Sequence, residues 1–259
     1  VQGWGPLVRE SAKLMRSVTK DAKLFAAATS DKNWTMPLLR EAGSYLDYIA
    51  IHGYWDPLFH VNNPAPFLKC MMKTDAPERD IQRAIGILDE AGFGGGKIKI
   101  AYDEWNLRNW HHPWHGDLRR GFDLEARRKN DIASTYTMAD ALFSACFLNA
   151  CLRHSDVVDV ACFAPIVNTR GPIFVHPDGI VKRTTFYVFK MYTNGLEDYM
   201  LPVALEAERL TQGNQSTAVF DVVLTGNADG TRYVYAVVNK DPEKSHALTL
   251  DFKSLGVKE

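Results

Sequence analysis

The sequence predicts an α/β fold over residues 1–197 and antiparallel β-structure over residues 198–259. Three observations carry this reading. Short β-branched and aromatic runs alternate with helical patterns four times in the first part, which implies a parallel sheet with helical crossovers. The alternation starts with a helix and ends with one. After residue 198 the helical period is gone, and strand-like runs follow one another.

A helix reads over residues 6–20, where Pro6 suits the first turn and Leu7, Leu14, Met15 and Val18 recur near helical spacing. Residues 23–29 form a short apolar run ending in polar residues, as a buried strand does. Residues 35–43 read as helix and 45–54 as a second strand. The Pro-rich stretch 56–74 carries few periodic signals and reads as a loop. Over 76–91, Ile81, Ala84, Ile85 and Leu88 share one face of an amphipathic helix. Gly92, Gly94, Gly95 and Gly96 stop it; they precede a strand instead of opening a helix, so they are not a phosphate-binding motif. Residues 97–104 form the third strand, 105–133 a long loop rich in Trp and His, 135–153 the most apolar helix, 159–164 the fourth strand and 183–194 the last helix. Beyond lie strand-like runs at 219–224, 233–238 and 247–252, with a turn at 227–230 between the first two. Four strand–helix units make half of a (β/α)8 TIM barrel, since a complete one takes about 250 residues. The three later strands make part of an antiparallel β-sandwich, too few to close it alone.

Composition excludes several classes. The chain has 259 residues and a formal net charge of −1, from 30 basic and 31 acidic side chains, so no basic footprint for nucleic acid is present. No apolar run is long enough to cross a bilayer. The first residues, Val1 to Trp4, have neither the basic nor the apolar region of a signal peptide, and without an initiator Met an upstream segment is expected. Cys70, Cys146, Cys151 and Cys162 match no zinc or redox spacing and read as buried free thiols.

In a parallel barrel the chemistry sits where the strands end. The third strand ends at Asp103 and Glu104. Ile98, Ile100 and Tyr102 share the parity of Glu104, which is compatible with Glu104 facing the barrel interior and Asp103 the helical shell. On periodicity alone, a solvated acidic pair at the start of a loop accounts for these residues equally well. His52 and Tyr54 share parity at the end of the second strand. They read either as a pair facing one site, where a Tyr hydroxyl can hold a carboxylate in its charged form, or as satisfied core residues. Trp105, Trp110, His111, His112, Trp114 and His115 make a plausible wall for an apolar sugar face. The three histidines lack metal-site spacing, so no metal and no cofactor is expected.

Four segments in order resemble glycoside hydrolase family 51, the retaining α-L-arabinofuranosidases. Tyr102-Asp103-Glu104-Trp105-Asn106 resembles its nucleophile segment, and Tyr48 to Tyr54 its sixth barrel strand. Asp140 to Leu142 with Leu152 to Asp156 resembles its seventh helix, and Val158 to Ala161 with Val167-Asn168 and Gly171 to Ile173 its eighth strand and loop. The resemblance implies the C-terminal half of the barrel, with Glu104 as nucleophile at the end of strand seven. It implies His52 and Tyr54 as supports of that nucleophile, and Trp105, Asn106, Trp110 and Asn168 as pocket residues. The acid/base of this family lies in an Asn-Glu pair closing strand four, which the resemblance places before Val1, so none is assigned. One departure stands out: where the family has a Gln that contacts the sugar, this chain has Pro165. The implied function is release of α-L-arabinofuranosyl groups from arabinoxylan or arabinan. The alternatives are a β-xylosidase or endoglucanase of the same clan, or a non-catalytic sugar-binding fragment. The implied partners are an oligosaccharide or polysaccharide and the missing N-terminal barrel half, in the same or a second chain, with homo-oligomers as a further expectation. The implied location is cytoplasmic or secreted, with the cytoplasm preferred.

Overall fold

The computed structural model describes residues 3–56, 64–108 and 136–253. Helix α1 (Trp4–Val18) leads into β1 (Phe25–Ala27), α2 (Lys32–Ala42) and β2 (Tyr48–Asp56). Helices α3 (Phe67–Met71) and α4 (Ala76–Glu90) precede β3 (Lys99–Arg108); α5 (Met138–Arg153) precedes β4 (Val158–Phe163). The four strands form one sheet in the order β1-β2-β3-β4, each pair parallel. Sequential neighbours running parallel require crossovers, and α2, α4 and α5 supply them.

The helices cover one face of this sheet. Ile49, Ile51, Ile100, Tyr102 and Trp105 point into that layer, all at most 1% exposed, against Leu38, Leu39, Ile81, Leu88, Phe143 and Phe147. Trp105 stacks on Phe147 with ring centroids 3.7 Å apart and meets Phe163 edge-on at 4.8 Å. On the other face Lys99 donates to Asp159 at 2.8 Å, the Tyr48 hydroxyl donates to the same carboxylate at 2.8 Å, and Phe25 stacks on Tyr48.

Beyond β4 the chain makes a hairpin of β5 (Ile173–His176) and β6 (Gly179–Lys182), then helix α6 (Thr184–Gly195). Strands β7 (Tyr199–Leu201), β10 (Phe220–Gly226) and β11 (Tyr233–Asn239) form an antiparallel sheet in the order β11-β10-β7. A second hairpin joins β8 (Arg209–Gln212) to β9 (Gln215–Ala218). The β10–β11 turn falls where the sequence puts it: Asn227 Oδ1 accepts from the Thr231 and Arg232 amides, and Gly230 takes a φ of 63°.

Helix α5 is apolar nearly all round because both of its sides are covered. Phe143 and Phe147 face the parallel sheet, and Ala141, Ala145 and Cys146 face α6 and β11. Its start is fixed by a capping box between Thr137 and Asp140. Polar groups tie the two sheets together along its length. Asn149 Nδ2 and Arg153 Nη1 donate to Asp221 of β10 at 2.7 and 3.0 Å, and Arg153 Nε and His154 meet Glu78 of α4. Lys240, 1% exposed, donates to Thr217 and Thr74 at 2.7 and 3.1 Å.

Four expectations are corrected. Within 56–74, Phe67–Met71 is helical and buries Cys70 and Met71; one turn and a half is too short to show a period. The third strand does not stop at Glu104 but runs to Arg108. Residues 247–252 form no strand: alternation of side chains assigns faces, whereas a strand also needs a partner edge, and none of the described residues supplies one. Of the four thiols, Cys70, Cys146 and Cys151 are buried but Cys162 is exposed, on the sheet face away from the helices.

Two expectations for experiment follow from this packing. Gly53 of β2 turns its missing side chain toward the helical layer, where a Cβ would run into the Trp55 ring and the Tyr102 hydroxyl. Gly53→Ala should lower the urea-unfolding free energy by about 1–3 kcal/mol, whereas Gly86→Ala, in open space on α4, should not lower it. For Glu78, burial pushes the carboxyl up, but the His154 hydrogen bond and the Arg153 guanidinium outweigh it, and the net shift is downward. A depressed carboxyl contributes stability above its unfolded pKa and loses it as pH falls through the folded one. The gap in urea midpoint between wild type and Glu78→Gln should therefore be widest near about pH 7 and narrow below about pH 4.

Candidate active site

The site forms where β2 and β3 end side by side. Regular alternation would send Glu104 to the helical face with Ile100 and Tyr102. A bulge prevents this. Against β2 the register runs Ala50↔Ala101 and then His52↔Glu104; against β4 it runs Tyr102↔Ala161 and then Trp105↔Phe163. On both sides β3 spends one residue more than its neighbour. Tyr102 and Trp105 therefore both face the helices, and Asp103 and Glu104 both face the other way. This corrects the expectation that Asp103 points to the helical shell and that Glu104 shares the face of Tyr102.

His52 and Tyr54 both reach Glu104, as their shared parity predicts. The Tyr54 hydroxyl donates to Glu104 Oε1 at 2.5 Å. His52 Nδ1 lies 3.5 Å from Glu104 Oε2, and its Nε2 lies 3.2 Å from Asp103 Oδ1. Burial, then the hydrogen bond to Glu104, hold the Tyr54 hydroxyl well above the usual phenol range, and the Arg170 guanidinium acts weakly the other way. Tyr54 thus keeps its proton and serves as a hydrogen-bond donor to the Glu104 carboxyl group.

The other expected site residues are placed differently. Trp105 is wholly buried against Phe147, on the opposite face from Glu104, because the bulge that exposes Glu104 turns its neighbour inward. Asn106 is on the side of Glu104 but buried, its amide donating to the carbonyls of Ala164 and Arg170 at 3.1 and 3.3 Å. It anchors the loop after β4. Asn168 lies in that loop with a φ of 59°, and its Oδ1 accepts from the Val175 amide at 2.8 Å. Trp110 and the neighbouring His111, His112, Trp114 and His115 lie outside the described residues. Among the described residues no group of three His, Cys, Asp or Glu side chains could hold a metal ion.

Two arginines near the site had no local sequence signal. Arg108, 2% exposed, closes β3 with a bidentate contact to Asp140 (2.8 and 3.2 Å) and a contact to Asp56. It joins the ends of β2 and β3 to the start of α5. Arg170, 1% exposed, sits in the loop held by Asn106. A buried cation is recognisable only once its partners are known, and Asp56 and Asp140 lie 52 and 32 residues away from Arg108.

A carboxylate held at the end of a parallel strand by a tyrosine, beside a histidine, can act as a nucleophile or as a base. Comparison with known proteins narrows the setting. Residues 103–259 match the alpha-L-arabinofuranosidase C-terminal domain. An intracellular exo-alpha-(1->5)-L-arabinofuranosidase of Streptomyces lividans is 30% identical over 197 residues, covering 72% of this chain and 28% of the relative. The enzyme of that name from Acetivibrio thermocellus is 25% identical, covering 97% of this chain and 51% of the relative. A family 51 alpha-L-arabinofuranosidase structure from Bifidobacterium longum superposes with a TM-score of 0.78 at 21% identity, covering 93% of this chain and 50% of that one. The chain spans about half or less of the length of these relatives. With its matched domain beginning at Asp103, one residue before Glu104, the chain belongs to the alpha-L-arabinofuranosidase family, glycoside hydrolase family 51, and represents its C-terminal part.

Proposed function

We propose that this chain carries the nucleophile half of a retaining α-L-arabinofuranosidase. The observation that supports the reading best is Glu104, turned out of the helical layer and held by the Tyr54 hydroxyl at 2.5 Å. In this reading residues 1–197 are the second half of a (β/α)8 barrel, and residues 198–259 contribute to a β-sandwich. A Glu104 oxygen attacks the anomeric carbon of a terminal arabinofuranosyl unit of arabinoxylan or arabinan. The C–O bond to the leaving group breaks as a second carboxyl group protonates that oxygen, and a glycosyl ester forms. The second carboxyl then removes a proton from water, whose oxygen displaces Glu104 with net retention. The two carboxyls of such an enzyme stand roughly 5–5.5 Å apart. The acid/base partner is assigned to the barrel half outside this sequence, in the same protein or in a second chain, and no metal or cofactor takes part. The names of the bacterial relatives favour an intracellular location. No helix among the described residues is long and apolar enough to cross a membrane.

One observation favours a second reading. Pro165, at the end of β4, has no side-chain donor or acceptor where the family resemblance implies a Gln touching the sugar. A β-xylosidase or endoglucanase of the same clan would tolerate that change.

The test is hydrolysis of p-nitrophenyl α-L-arabinofuranoside, with and without azide, by wild type, Glu104→Ala and Tyr54→Phe. With an activated leaving group the ester forms without an acid, and azide can take it over. Activity should rise with azide and vanish in Glu104→Ala. It should fall by roughly 10²–10³-fold in Tyr54→Phe, the usual cost of one aligned donor at a charged group. Activity unchanged in Glu104→Ala would refute the assignment, and preference for the β-xyloside would select the second reading.

A further inference from the structure

The bulge in β3 does more than turn Glu104 over. It sets two carboxylates, adjacent in sequence, on one face of the sheet with a single imidazole between them: His52 Nε2 lies 3.2 Å from Asp103 Oδ1 and His52 Nδ1 lies 3.5 Å from Glu104 Oε2. Tyr54 occupies Glu104 Oε1, so the histidine addresses the oxygen that the tyrosine leaves open. The His52 side chain is 47% exposed, and among the described residues it makes no aromatic stack and no other polar contact. A half-exposed ring samples several rotamers unless a hydrogen bond selects one. Asp103 Oδ1 is itself buried and accepts no aligned hydrogen bond among the described residues. A buried carboxylate oxygen left this way is costly. The ring nitrogen within bonding distance of it is the group that offsets the cost once the ring turns into line.

We propose that Asp103 is a positioning residue, whose carboxylate holds the His52 ring through Nε2 and so keeps Nδ1 opposite the free oxygen of Glu104. This rests on the reading of Glu104 as a nucleophile, but it concerns a different residue and has a readout of its own. Asp103 touches no reacting atom. It acts through the imidazole, in the way an outer carboxylate orients a metal-bound histidine. The arrangement also accounts for a short side chain with an acceptor oxygen at position 103, since one without an acceptor would leave His52 free to swing away from the carboxylate.

The first test needs no activity. Carbon-13 relaxation of the His52 ring should show it nearly as rigid as the backbone in wild type, with an order parameter near about 0.85, and below about 0.6 in Asp103→Ala. Asp103→Asn, whose carbonyl oxygen can still accept from Nε2, should restore most of the order. The His154 ring, held by Glu78, serves as the internal control and should not change. A mobile His52 ring in wild type, or one equally ordered in Asp103→Ala, would overturn the proposal; should Asp103→Ala fail to fold, Asp103→Ser is read in its place. The second test uses the azide assay. Asp103→Ala should lower kcat roughly tenfold with KM nearly unchanged, and the same change in a His52→Gln background should add little, because both remove one coupled interaction. Equal losses in the two backgrounds would refute action through His52. An inactive wild type would instead count against the glycosidase reading and leave the ring measurement to decide.

Discussion

One extra residue in β3 governs the geometry of the site. A strand buried on one face obeys a period of two, and Ile98, Ile100 and Tyr102 keep it. Had it continued, Glu104 would lie among Phe143 and Phe147, where a charge is very costly. The bulge breaks the period where the helical layer ends. It lets Tyr102 and Trp105 fill that layer on either side of the two acids, and the stacking of Trp105 on Phe147 at 3.7 Å secures the turn. Gly53 is the complementary concession in β2: by lacking a side chain it makes room for the Tyr102 hydroxyl and lets His52 and Tyr54 face the same way.

Below this, the ends of the strands are fixed by charge. Arg108 sits between Asp140 and Asp56, so the last residues of β2 and β3 and the first turn of α5 share one buried cation. Such a pairing adds little net stability over an apolar equivalent, but any register that separated the three would leave a charge uncompensated. Asn106 adds the loop after β4 to the same block through two backbone carbonyls. The site is thus built on rigid strand ends, and the loop around Asn168 is tied to them.

The parallel module was legible because its signals are local and periodic. The helices beginning at Trp4, Lys32, Ala76, Met138 and Thr184 and the four strands between them each carry their own pattern. Glu104, His52 and Tyr54 could be paired because strand ends adjoin in a parallel sheet. What sequence reasoning missed is what depends on partners. The bulge is invisible in the order of residues in β3 alone, so alternation assigns Asp103 to the helical face and puts Glu104 on the face of Tyr102. Short strands such as Tyr199–Leu201 and Arg209–Gln212 bury little and run for too few residues to establish a period, whereas 247–252 alternates without a partner. Arg108 and Lys240 are buried only because distant Asp and Thr side chains meet them.

The distribution of thiols has a practical consequence. Burial raises the Cys70 thiol to about 11 and Cys151 to about 12, and lifts Cys146 well above its ordinary value, so all three stay protonated and shielded at neutral pH. Cys162 alone among the four is open to solvent, on the strand next to the one bearing Glu104 and on the face that the helices do not cover. A fluorophore attached there needs no engineered cysteine. Its colour and accessibility would report, in real time, whatever comes to lie over that surface.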